Sequence, residues 1–171
     1  MAEKFKEQAI IIRQEEIADD IYSMWLRTEE IAAHAKAGQF VSVYCNEGSR
    51  LLPRPISICE IDRKNGRLRI VYRVVGYGTK EFSGCKAGDT LEIMGPLGNG
   101  YTLKKDKAIL VAGGIGVPPM LELAKELLAN PELAKSGDQY VYTDYHGSVN
   151  QNLIKDYVMA VVADAPTDVT G

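Results

Sequence analysis

The sequence predicts an antiparallel β-barrel over residues 1–103, followed by a Rossmann-like α/β unit over 104–171. Three observations predict it. Short β-branched and aromatic runs recur through the first hundred residues. Glycine, proline and asparagine turns separate them. After Lys104-Lys105-Asp106-Lys107 the pattern changes to one continuous apolar run, a glycine cluster and a helical period.

Each element has its own reason. Ala9-Ile10-Ile11-Ile12-Arg13 is β-branched and apolar, and Ile21-Tyr22-Ser23-Met24-Trp25-Leu26-Arg27 alternates large and small groups, as does Gly38-Gln39-Phe40-Val41-Ser42-Val43-Tyr44. Ile56 to Glu60, Leu68 to Val74 and Thr90 to Met94 are the further strands. Lys64-Asn65-Gly66 predicts a tight hairpin in which Asn and Gly supply positive φ angles. Lys86 to Asp89 and Gly95 to Gly100 are expected to break the later strands.

Ala108-Ile109-Leu110-Val111-Ala112 has the character of a strand covered on both faces. Gly113-Gly114-Ile115-Gly116 follows, then a helix from Val117 to Ala129 with apolar residues at helical spacing. Strand, glycine turn and helix in that order begin an α/β nucleotide-binding unit. A strand over Gln139 to Thr143, a helix over Val149 to Lys155 and a strand over Tyr157 to Val162 complete it, and Ala163 to Gly171 is expected to be loop.

Composition sets the class of protein. With 46% apolar and 25% charged residues the chain is that of an ordinary globular protein, and its net charge of −3 gives no bulk attraction to nucleic acid or anionic membrane. No apolar run is long enough to span a bilayer, and the first residues lack the apolar core of a signal peptide, so a cytoplasmic protein is expected. Cys45, Cys59 and Cys85 are scattered without metal-ligand spacing and are expected to be reduced thiols. His34 and His146 are expected to be surface and loop residues.

Three segments carry chemistry. Arg54-Pro55-Ile56-Ser57 sets a guanidinium, suited to bidentate pairing with a pyrophosphate, beside a rigid proline and a hydroxyl. Taken alone it reads better as an edge strand that begins with Arg-Pro. Val71-Tyr72-Arg73 ends the next strand with a flat ring and a second cation. Gly76-Tyr77-Gly78-Thr79 then offers close backbone approach and a hydroxyl for a phosphate, or an ordinary helix cap. The glycine turn at 113–116 lacks the full dinucleotide spacing, and Pro118 also fits the first turn of a helix.

In order and spacing these segments, with Gly38-Gln39-Phe40-Val41, Gly95-Pro96-Leu97-Gly98-Asn99-Gly100 and Ala112 to Pro119, resemble the ferredoxin–NADP reductase superfamily. Within it they are most similar to the electron-transfer subunits of two-subunit, NAD-dependent dihydroorotate dehydrogenases. Agreement runs from about Glu7 to Leu128. The resemblance implies that the barrel binds FAD through Arg54, Pro55, Ile56, Ser57, Val71, Tyr72, Arg73, Gly78 and Thr79. Arg54 would serve the pyrophosphate, Ile56 and Ser57 the isoalloxazine edge, Tyr72 the adenosine or ring face, and Gly78 and Thr79 a phosphate. It implies NAD(H) at Gly113, Gly114, Gly116 and Pro118.

It further implies electron transfer from NADH through FAD to an FMN-containing dihydroorotate dehydrogenase catalytic subunit, in pyrimidine biosynthesis. No catalytic acid, base or metal ligand is expected. Relatives carry a longer α/β domain and a cysteine-rich segment for a [2Fe-2S] cluster. Here Val162-Ala163-Asp164-Ala165-Pro166 stands where a Cys-Gly-Pro-like turn is expected, and Cys45, Cys59 and Cys85 do not match the cluster ligands. The α/β domain is therefore expected to be abbreviated, with a partner or second copy covering it. The alternative is a flavin-binding or interaction module that has lost NADH oxidation.

Overall fold

The structure is a computed structural model that describes residues 3–46, 52–103, 110, 112–129, 139–140 and 161–162. Its centre is a closed antiparallel barrel of six strands in the order β1-β2-β5-β4-β3-β6. These are β1 (Phe5–Ala18), β2 (Ile21–Arg27), β3 (Phe40–Val43), β4 (Arg54–Asp62), β5 (Arg67–Arg73) and β6 (Thr90–Leu97). Every strand sends alternate residues inward, as the pleat requires. Met24 and Leu26, Ile58, Leu68 and Ile70, and Leu91 and Ile93 are fully buried in one core. The barrel and its strand order agree with the expected fold class.

Helix α1 (Glu30–His34) joins β2 to β3, and α2 (Tyr77–Ser83) joins β5 to β6 with Phe82 inserted fully into the core. Helix α3 (Pro118–Leu128) lies on the outer wall, with Val117 and Leu121 against Ile21, Cys59 and Val71. Two residue pairs, Gln139–Tyr140 (β7) and Val161–Val162 (β8), form a short antiparallel ladder.

Four local expectations change or gain detail. The first strand is longer than its apolar run, because Gln14, Glu15 and Glu16 continue the ladder with Met24, Ser23 and Tyr22. His34 is exposed as expected, yet not without partners: it ends α1, its Nδ1 lies 2.9 Å from the Glu30 carbonyl, and its ring leans on Phe5. The turn after β4 is a 3-10 turn over Arg63–Asn65 that Asp62 caps, and only Gly66, at φ 61°, takes the left-handed conformation. Finally, β6 runs through Gly95 and Pro96 instead of breaking there, with Gly95 paired to Phe5 of β1 and Leu97 to Phe40 of β3.

The expected strand at 108–112 and the domain boundary near Leu103-Lys104 fall largely outside the described residues. The helix at 149–155 and the tail at 163–171 fall wholly outside them. Among the described residues no helix is long and apolar enough to cross a membrane.

Candidate functional site

The site begins where β4 and β5 part. Their ladder runs from Asp62–Arg67 to Ile58–Ile70 and stops there. Beyond it, Arg54–Ser57 pairs with β3, from Val43–Arg54 to Phe40–Ser57, while Val71–Arg73 pairs with β2. Proline gives a physical reason for the fork. Continuing the antiparallel register would set Ser57 opposite Val71 and Pro55 opposite Arg73. The Ile58 N–H points to β3, where it meets the Gln39 carbonyl at 3.0 Å. By the two-residue alternation of a strand, positions 55 and 57 therefore point their nitrogens the other way, toward β5. Pro55 has no N–H to give, so the ladder cannot close through it. The Ser57 N–H is left aimed into the fork.

Side chains sort themselves across this opening. Ile56 is buried, whereas Pro55, Ser57 and Arg73 are exposed. The Arg54 guanidinium reaches across to α2 and lies against Gly78. A β-carbon on that glycine would stand 2.6 Å from Nε and 3.0 Å from Cζ. Only a residue without a side chain admits the cation this closely. Leu52, Val75 and Tyr77, 75–81% exposed, add apolar surface to the segments that flank the cradle.

Two expected ligand groups are placed differently. The Tyr72 side chain is 3% exposed and turned into the core. Its ring stacks on Tyr22 at 5.8 Å, meets the edge of Phe82 at 6.1 Å, and its hydroxyl donates to Gln14 Oε1 at 3.0 Å. Burial raises its pKa far above the usual tyrosine value, so the hydroxyl stays protonated. Its parity decides this: Leu68, Ile70 and Tyr72 share the inward phase of β5. The backbone of Tyr72, not its ring, borders the fork. The Thr79 hydroxyl is likewise engaged inward, accepting from Val75 N at 3.0 Å and Gly76 N at 3.3 Å and donating to the Gly76 carbonyl at 3.1 Å. It shapes the turn that presents Gly78.

A family signature described as "Oxidoreductase FAD-binding domain" matches residues 8–101, which include the whole fork and α2. The chain belongs to this oxidoreductase FAD-binding family. The electron transfer subunit of dihydroorotate dehydrogenase B (NAD(+)) from Streptococcus pneumoniae R6 is 40% identical over 90% of this chain and 67% of its own length. The corresponding subunit from Streptococcus mutans is 45% identical over 71% of this chain and 48% of its own. The chain thus spans from about half to about two thirds of these relatives' own length. Among solved structures, an NADH-dependent reduced ferredoxin–NADP oxidoreductase is 30% identical with a TM-score of 0.65, over 70% of this chain and 43% of that one.

In this member of the FAD-binding family, the glycine turn sits beside the same opening. Gly114–Gly116 forms a single 3-10 turn, and Val117, the next residue, packs on the cluster formed by Ile21, Cys59 and Val71 of β2, β4 and β5. Among the described residues, a β-carbon on Gly113, Gly114 or Gly116 would meet nothing within 4 Å, so the turn presents open backbone to them. Pro118 is different: it is buried at the start of α3, where a missing N–H costs nothing. Cys59 is fully buried under α3, and Cys45 and Cys85 are partly buried against the barrel core. Among the described residues no three His, Cys, Asp or Glu gather as a metal site.

Two sets of residues have no counterpart in the sequence reading. The Gln14 amide donates to the Phe82, Ser83 and Cys85 carbonyls at 2.8–3.3 Å while its oxygen receives Tyr72, so it ties β1 to the end of α2. Glu122 and Glu126, one turn apart on α3, reach back to the barrel. Glu122 Oε2 accepts from Ile61 N at 2.9 Å, and Glu126 Oε1 from Arg63 at 3.3 Å and Ala37 N at 3.4 Å.

Proposed function

We propose that the β4–β5 fork holds FAD and that this chain relays electrons from NADH to a partner subunit, as an electron-transfer subunit of dihydroorotate dehydrogenase type. The observation that carries the reading is the convergence of Arg54, Ser57, Val71–Arg73 and Gly78 on one opening of the barrel. Arg54, fixed over Gly78, would neutralise the pyrophosphate by charge-assisted hydrogen bonds. The Ser57 N–H and the backbone of Val71 to Arg73 would hold the ring edge. The apolar surfaces of Leu52, Val75 and Tyr77 supply the mixed lining that a planar, partly apolar ligand needs.

A bound flavin supplies the ability to take two electrons together and release them singly. The chain's own part is positioning. Gly113, Gly114 and Gly116 leave room for a nicotinamide nucleotide to approach the fork, and Val117, packed on the cluster of Ile21, Cys59 and Val71, sets that turn beside the flavin-holding strands. The electrons then go to an FMN-containing dihydroorotate dehydrogenase catalytic subunit, in pyrimidine biosynthesis. A cytoplasmic setting, with Cys45, Cys59 and Cys85 as thiols, belongs to the same reading.

An absorption spectrum of protein purified without added cofactor, followed by anaerobic titration with NADH, tests this. A yellow protein whose flavin bands bleach on NADH is expected. Protein that stays colourless and takes up no added FAD overturns the cofactor assignment. Yellow protein that dithionite bleaches and NADH does not would leave a flavin module without the NADH step.

A further inference from the structure

We infer that Glu122 is a positioning residue for nicotinamide oxidation: a buried helix carboxylate that takes the place of a missing strand and so holds the glycine turn beside the fork. The inference rests on the reading that FAD occupies the fork and NADH reduces it.

The need for such a group follows from the topology. The β3–β4 ladder ends at Phe40–Ser57, so among the described residues the far half of β4, Cys59 to Asp62, has no strand on its β3 side. An amide on that edge must find another acceptor or remain unsatisfied under α3. The Ile61 N–H meets Glu122 Oε2 at 2.9 Å, and the carboxylate is only 4% exposed. A residue that looks like solvent-facing helix sequence is therefore buried in a backbone gap.

Neighbouring groups make the contact a clamp. Arg63, just past β4, lies 3.6 Å from Glu122 and 3.3 Å from Glu126, and donates to the Ala35 carbonyl at 2.7 Å. Lys125, on the adjoining face, pairs with Glu60 of β4. Leu121 packs beside Cys59 and Val71, while Leu123 and Leu127 pack on Ala37. Apolar contact on both flanks is non-directional, so the register of α3 is set by its directional bonds, chiefly the short buried one from Ile61 N and, more weakly, that from Ala37 N to Glu126 at 3.4 Å.

That register matters for chemistry because the glycine turn runs directly into α3. Glu122 lies four residues beyond Pro118, about 6 Å along the axis. A shift of the helix is thus passed to Gly113–Gly116 with little lever arm to absorb it. The residues assigned to FAD lie on β4, β5 and α2, and of these Val71 alone shares an apolar cluster with α3. Loss of the clamp should separate nucleotide use from flavin retention.

The test uses the full chain with bound flavin and the variants Glu122→Ala and Glu122→Gln. Flavin content, anaerobic reduction at varied NADH, and amide hydrogen exchange are measured for each. Glu122→Ala is expected to keep its flavin and its reduction by dithionite. Its half-saturating NADH concentration should rise by about tenfold or more, with faster exchange over residues 113–129 and at Ile61 but not over β2. Glu122→Gln retains an acceptor for Ile61 and should restore both exchange protection and NADH response. Unchanged NADH response in the alanine variant, or flavin lost in parallel with it, overturns the inference. If NADH fails to bleach the unmodified protein, the functional reading itself falls and the positioning role with it; exchange at Ile61 still reports whether the clamp exists.

Discussion

The guanidinium of Arg54 lies across Gly78 so closely that a β-carbon there would stand 2.6 Å from Nε. The two residues are far apart in sequence, and their contact joins the first turn of α2 to the first residue of β4. Gly78→Ala should displace the cation and weaken FAD retention while leaving the fold as stable, since alanine is favoured over glycine within a helix by about 0.5–1 kcal/mol. Arg54→Ala removes the same interaction outright and should cost flavin affinity roughly 1.5–3 kcal/mol. Flavin dissociation constants and melting temperatures of both variants check this. Gly78→Ala with full flavin affinity would show that the cation's seat over the glycine is incidental.

Thr79 gives a prediction of the opposite kind. Its hydroxyl caps the turn at Val75 and Gly76, so Thr79→Ala should lower stability by about 0.5–2 kcal/mol. Thr79→Ser keeps the hydroxyl and should recover most of that loss. Chemical denaturation of the two variants without flavin isolates the effect. Equal stability of Thr79→Ala and the parent chain would leave the hydroxyl available for phosphate instead.

Tyr72 separates ring from backbone. In Tyr72→Phe the stacking on Tyr22 and Phe82 survives, but Gln14 Oε1 loses its donor inside the barrel end. A cost of about 1–3 kcal/mol is expected for an acceptor left unsatisfied. Flavin content and the flavin absorption spectrum should not change, because the hydroxyl faces the core. A shifted flavin spectrum in this variant would place the ring on the ligand.

These cases show how far the sequence could be read. The strands β2, β4 and β5 were legible because residues such as Leu68, Ile70 and Tyr72 keep strict inward phase. That same phase already places the Tyr72 ring inside, against the role that the motif suggests. The extension of β1 was hidden by Gln14, Glu15 and Glu16, whose polarity conceals a stretch that pairs with β2. The five residues of α1 are too few for a helical period to show. The binding segments stood out by order and spacing, but the Arg54–Gly78 contact depends on tertiary closure. Glu122 left no signal at all, since a glutamate between leucines on an amphipathic helix ordinarily faces water.

Glu122 also sets a pH dependence of stability. Burial raises its carboxyl above the ordinary value of 4.5, opposed by the Ile61 N–H and by Arg63, while Glu126 adds to the rise and Lys125 reduces it. A raised folded-state value means that the fold binds the proton more readily than the unfolded chain does. Its contribution is therefore most favourable below the unfolded value and is lost as pH rises through the folded one. At neutral pH the buried charge is a standing cost, offset in part by its partners. Glu122→Gln removes that charge and keeps an acceptor for Ile61, and Arg63 retains Glu126 and the Ala35 carbonyl. The variant should be as stable as the parent or more so at pH 8. The difference should shrink toward zero as the pH falls below the ordinary carboxylate range. Melting temperatures of both proteins across this interval decide the point, and a variant that grows less stable than its parent with rising pH would show that the carboxylate's pairing with Arg63 outweighs its burial.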